Sequence, residues 1–135
     1  MLMVGTLQAG LLNMAMVPSS DVATAAQRFA GVLASWAAGA QAMGVPAVIP
    51  SMAGVQAGFA AGERLPMILS KFWPTVVFAG MVSPPVGPVM AEPLLVCTPD
   101  ATAASQTLAT AMQANAMVHM VTFMVGGVPT VFPIM

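Results

Sequence analysis

One heptapeptide occurs twice in this chain, as Gly44-Val45-Pro46-Ala47-Val48-Ile49-Pro50 and as Gly127-Val128-Pro129-Thr130-Val131-Phe132-Pro133, with five of its seven positions identical. It constrains the fold because proline has no N–H to donate and its ring clashes with the preceding turn, so no helix runs through either copy. Glycine at the first position tolerates the left-handed backbone that ends a helix. Each copy follows a long Ala- and Met-rich stretch that opens on a hydroxyl residue and an aspartate, Ser20-Asp21 in the first and Thr98-Pro99-Asp100 in the second. Such side chains accept hydrogen bonds from the free N–H groups of a first helical turn, and the negative charge suits the positive end of the helix dipole. The expectation is two capped helices, each stopped by glycine and continued as a short rigid arm. The arms carry Gly44, Val45, Pro46, Val48 and Pro50 in one copy and Gly127, Val128, Pro129, Val131 and Pro133 in the other. On this reading the chain is internally duplicated.

Charge is the second constraint. Seven of the 135 residues are charged: Asp21, Arg28, Glu63, Arg64, Lys71, Glu92 and Asp100. A well-behaved monomer surface needs about 25–35% charged side chains. Much of the outside is therefore expected to touch lipid or neighbouring subunits instead of water. Three basic residues and a net charge of −1 exclude nucleic acid as a partner, since that grip needs an array of Lys and Arg. The single cysteine, Cys97, excludes an intramolecular disulfide and reads as a small buried apolar residue. The first twenty or so residues lack the basic region of a secretory signal. Fourteen methionines suit irregular apolar contacts with partners.

Along the chain, Met1 to Met16 reads as a helix stopped by Pro18. A second helix, from Asp21 to about Met43, carries Val22, Phe29, Trp36 and Met43 as a packing stripe, with the small residues Gly31 and Ser35 on another face for close approach of a neighbouring backbone. A third helix, opened by Ser51, carries Gly54, Gly58 and Gly62 at four-residue spacing, the pattern of a glycine zipper. Glu63, Arg64 and Lys71 around Pro66 mark a water-facing turn, and Phe72-Trp73 beside Lys71 suits either ordinary core packing or a membrane boundary. From Pro74 to Pro99 six prolines exclude continuous helix; Val76–Ala79 and Leu94–Cys97 are β-prone, with Ser83–Pro88 as a stiff connector. A last helix runs from Asp100 to about Val125. Three segments follow: a first helical unit over 1–73, a Pro-rich connector over 74–99 and a second helical unit over 100–135.

Chemistry-bearing residues are sparse. Asn115, His119 and Thr122 fall on one side of the last helix as a polar seam, either lining a channel or fixing helix register through hydrogen bonds. One histidine cannot build a multi-histidine metal site within one subunit, and nothing marks Cys97 as an activated nucleophile. Two of the four carboxylates read as helix caps, and no glycine-rich nucleotide loop is present. No catalytic, cofactor-binding or metal-ligating residue is assigned, and no enzyme is expected.

The expected fold is mostly α, two related helix-plus-extended-arm units with a Pro-rich connector and a core completed by oligomerisation. The expected function is that of a non-enzymatic hydrophobic structural component of a large multi-subunit assembly, a virion or contractile injection apparatus, acting as channel plug, hub or tip or meeting the target membrane, with copies of itself, other subunits and a lipid membrane as candidate partners. The alternative is an integral membrane pore-former, a holin-like protein or a small subunit of a membrane complex. A soluble homo-oligomer that hides its apolar faces is a third reading.

Overall fold

The computed structural model describes residues 1–91 and 100–135. Helix α1, Val4–Met16, buries Leu7 and Leu11 and stops before Pro18. The Asp21 carboxylate accepts from the Thr24 N–H at 2.7 Å and opens α2, Val22–Ala37, whose buried face of Ala26, Phe29, Ala30, Leu33, Trp36 and Ala37 has helical spacing. Short strands β1 (Gln41–Ala42) and β2 (Val45–Val48) follow, then α3 (Ala53–Ala60), α4 (Leu65–Phe72) and a single 3-10 turn at Trp73–Thr75. Strand β3 is Val77–Phe78 and β4 is Met81–Val86. Asp100 caps α5, Ala101–Met117, by accepting from the N–H groups of Thr102 and Ala103, and β5 (Met120–Val125) and β6 (Val128–Pro133) end the chain.

The mostly α expectation is overturned: the fold is mixed α/β, with two three-stranded antiparallel sheets ordered β1-β2-β3 and β4-β5-β6. Neither heptapeptide is a free arm. Each forms the second strand of a hairpin whose first strand lies in the segment expected to be helix. The turns explain it. Met43 and Gly44 have φ of 52° and 74°, and Gly126 and Gly127 have 58° and 82°. Positive φ at both central residues marks the two-residue turn whose twist matches that of paired strands. Helix α5 ends at Met117 rather than near Val125 because the next residues alternate, Val121 and Phe123 inward and Met120 and Met124 outward, with β-branched and aromatic side chains that suit a pleat. Pro129 and Pro133 are tolerated because β6 lies at the edge of its sheet. The supposed connector at Ser83–Pro88 is largely strand β4, paired to β5. The expected strand at Leu94–Cys97, together with Cys97 itself and Glu92, lies outside the described residues.

The two sheets are tied together on one side and linked by a turn on the other. Ala79-Gly80 leads β3 into β4, with Gly80 at φ 84°, but these two strands belong to different sheets and no ladder pairs them. On the opposite side Gln41 and Met135 exchange two backbone hydrogen bonds of 2.8 Å each.

Among the described residues a helix followed by two strands joined by a glycine turn recurs three times: α2 with β1-β2, α4 with β3-β4, and α5 with β5-β6, of which the first and third are paired hairpins while β3 and β4 fall in different sheets. The junction of each carries a buried ring, Trp36, Trp73 or His119, which stands eight, seven and eight residues before the turn glycines Gly44, Gly80 and Gly127. Four residues before each glycine, Ala40, Val76 and Phe123 are all buried. The rings meet in the core: Trp36 lies edge-on to Trp73 with centroids 5.7 Å apart, and Trp73 lies 5.9 Å from His119. Burying Trp36, whose Nε1 is hydrogen-bonded, stabilises the fold by roughly 2–3 kcal/mol, whereas Trp73 buries an Nε1 without a partner among the described residues, which offsets about 1–3 kcal/mol of its gain. The registers Ala47↔Phe78 and Met81↔Phe123 bring the three turns to one end of the molecule.

Candidate functional site

The residues expected to form a polar seam do not share a helix face. Asn115 is in the last turn of α5, His119 in the junction and Thr122 on β5, where it faces Ser83 and Val131 in neighbouring strands. Asn115 and His119 are brought together, but as internal fastenings. The Asn115 amide donates to Pro88 O at 3.0 Å, and the ring Nδ1 of His119 lies 2.8 Å from Asn115 O, which makes that nitrogen the donor. Gly87 lies flat on the imidazole: a Cβ built there would stand 2.6 Å from His119 Cγ. Both side chains are buried. Gln113 makes a similar fastening, accepting from Trp36 Nε1 and donating to Leu2 O, each at 3.2 Å.

The glycine zipper is also taken apart. Helix α3 is only eight residues long, and its three glycines have three different environments. Gly54 is exposed with nothing near it; Gly58 is buried, with Glu63 Oε2 3.0 Å from where a Cβ would be; Gly62 has φ 74° and terminates the helix. Gly31 and Ser35 are exposed and line an open groove of about 440 Å³ between α1 and α2, not a tight helix contact. The close approach there belongs to Gly10, whose Cβ would stand 2.6 Å from Val32 Cγ1. In the same groove the Arg28 guanidinium is taken up by Val17 O, Ser19 Oγ and Asn13, tying α2 to the end of α1.

Among the described residues, charged side chains lie on or beside the helices. Asp21, Arg64 and Asp100 are the N-cap residues of α2, α4 and α5, the helices that lead into the three two-strand segments. Arg28 is in α2, and Lys71 of α4 pairs with Glu63 at 2.6 Å. The Thr24 N–H holds the exposed Asp21 carboxyl below its ordinary pKa. No charged residue lies on a hairpin among the described residues. Among those residues, too, no three of His, Cys, Asp and Glu stand close enough to share a metal ion.

What the hairpins present instead is apolar. Counted from each turn glycine, the second residue onward is Pro46, Val82 or Pro129 and the fourth is Val48, Pro84 or Val131. All six are exposed. The same short strip of valine and proline thus faces outward from each of the three second strands. Five of the six residues belong to segments that sequence reasoning had marked, as arms or as connector prolines; Val82 and the turn from β3 to β4 were missed, because β3 is two residues long and its turn, Ala79-Gly80, lacks the companion Pro-x-Val. No family model, curated protein or solved structure matches this chain.

Proposed function

We propose that this chain is a non-enzymatic structural component of a large multi-subunit assembly of the virion or contractile-injection type, held in place by its uncharged hairpin end. The observation that carries this reading is the absence of charged residues from the described strands: every described charged side chain sits on or beside the helices, and the strands expose valine, methionine and proline, as helix-end residues such as Met16 and Val22 also do. Isolated exposed apolar residues are ordinary on a soluble monomer, but a charge-free region bearing many of them marks a surface made to be covered. The helical end, with its caps and its ion pair, is suited to face water. A membrane-embedded role gains nothing from the helices, since among the described residues none is long and apolar enough to cross a bilayer.

Fractionation of the native source tests the reading. Retention with sedimenting particles through high-salt and carbonate washing, without flotation with membranes, is the expected result. Release only by detergent would transfer the protein to the membrane reading, and recovery as a small soluble oligomer free of other proteins would end the proposal.

A further inference from the structure

We infer that the cavity where the five helices meet binds one small, uncharged, apolar molecule bearing a hydroxyl group, which donates a hydrogen bond to Glu63. The site lies among the helices and uses none of the strand surface invoked above, so the assembly reading stands or falls without it.

Every helix supplies apolar side chains to this cavity of about 270 Å³: Leu11 and Met14 from α1, Phe29 from α2, Phe59 from α3, Ile68 from α4 and Leu108 from α5. Phe29 and Phe59 stack with centroids 5.2 Å apart and form its aromatic wall. Protein interiors are packed about as densely as organic crystals, so a space of this size among core side chains is room for another molecule. It is only partly enclosed, and a ligand can enter without unfolding the chain. A cavity of about 150 Å³ lined by Leu, Ile and Phe takes one benzene, which brings a two-ring compound within the capacity of this one. Drug-sized ligands need sites of about 300 Å³ and more, so larger molecules do not fit.

The one charged side chain on the lining is Glu63, and the fold holds it in place. Its backbone N–H donates to Gly58 O at 2.9 Å across the turn that Gly62 makes at φ 74°. The missing side chain at Gly58 leaves room for the carboxylate, whose Oε2 lies 3.0 Å from where a Cβ would stand. Lys71 Nζ takes the other oxygen, Oε1, at 2.6 Å. Oε2 accepts no hydrogen bond among the described residues, which leaves a strong acceptor for a ligand. Charge then selects the donor. Lys71 already neutralises Glu63 and Arg64 is the next residue, so an ammonium group would meet two like charges, while an anion would meet the carboxylate itself. A hydroxyl donates to a carboxylate and meets neither penalty.

Titration of the chain, its methionine methyl groups labelled with carbon-13, tests this with 2-naphthol as the probe. The expected result is saturable one-to-one binding that shifts the methyl signal of Met14 in the cavity and leaves that of Met124, exposed on β5, unmoved. Naphthalene, which lacks the hydroxyl, should bind at least about tenfold more weakly, and so should the anion 2-naphthoate and the cation of 2-naphthylmethylamine. Leu108→Trp, which fills the cavity, should abolish binding with the far-ultraviolet circular dichroism unchanged. Glu63→Leu should erase the difference between 2-naphthol and naphthalene. Absence of saturable binding would overturn the proposal, as would a shift at Met124 without one at Met14, equal affinity for all four probes, or full binding by a folded Leu108→Trp. The probe series and the methyl shifts are read on the unaltered chain, so they decide the matter even if neither variant folds.

Discussion

One tight packing constraint at a single residue is at Gly87, where the backbone rests on the His119 ring and a methyl group would stand 2.6 Å from Cγ. The imidazole cannot withdraw easily, because its Nδ1–H is committed to Asn115 O and Asn115 in turn holds Pro88 O. Gly87→Ala is therefore expected to lower stability by about 1–3 kcal/mol, read as a shift of the urea midpoint. In a His119→Ala background the same change should cost markedly less, and an unchanged cost would mean that the contact is not its cause. Asp21 offers a pH-dependent test. Its carboxyl pKa is lowered in the folded chain, chiefly by the Thr24 N–H, so its contribution is present above the ordinary carboxylate pKa and disappears as pH falls through the lowered value. The difference in urea midpoint between the wild type and Asp21→Ala should thus be visible at neutral pH and vanish on acidification. A difference independent of pH would assign the effect to something other than the charged cap.

At the scale of elements, the hairpin turns govern the fold, and they can be improved. Met43 occupies a left-handed conformation at φ 52°, which costs an ordinary L-residue about 1 kcal/mol, while Asn and Gly adopt it readily. Met43→Asn should stabilise the protein by about 0.5–1 kcal/mol in thermal or urea unfolding, and Gly44→Ala should destabilise it by a similar amount or more. The same turns show what was legible beforehand. The helix caps Asp21 and Asp100 were readable because capping is local chemistry between neighbours in sequence. The paired heptapeptides were readable as stops. Their partner strands were not, because Met120–Val125 is apolar at every spacing except for Thr122, so helical and alternating patterns both fit it. Gly126-Gly127 between two apolar runs was the available hairpin signal, and reading it only as a helix stop concealed β5. Gly87, Gly10 and the meeting of Trp36 with Trp73 depend on approach between distant segments, which no local pattern encodes. Spacing also misled at Gly54, Gly58 and Gly62: four-residue intervals imply one shared face only while the helix lasts, and α3 ends at Ala60.

For the whole molecule, the tie between the two sheets and the separation of charge from the strands give the last two expectations. The sheets are tied through the two backbone hydrogen bonds between Gln41 and Met135. Met135→Pro removes the N–H that donates to Gln41 O, so stability should fall by about 1–2 kcal/mol and the Gln41 amide should exchange faster with solvent water. Unaltered exchange would show that the sheets are held together elsewhere. The second expectation separates the fold from its surface. Val48, Val82 and Val131 are more than half exposed, at 61%, 54% and 59%, so lysine at each can keep its ammonium in water while its stem covers the same strand face. Each single change should alter unfolding free energy by no more than about 0.5 kcal/mol. The triple variant should nevertheless self-associate far less than the wild type in sedimentation velocity, because three like charges then replace the apolar strips through which isolated chains stick. Lysines placed instead at the exposed helix positions Gln27 and Thr107 should leave association unchanged. Equal solubilisation by both sets would mean that net charge, and not the hairpin end, controls how this molecule meets its neighbours.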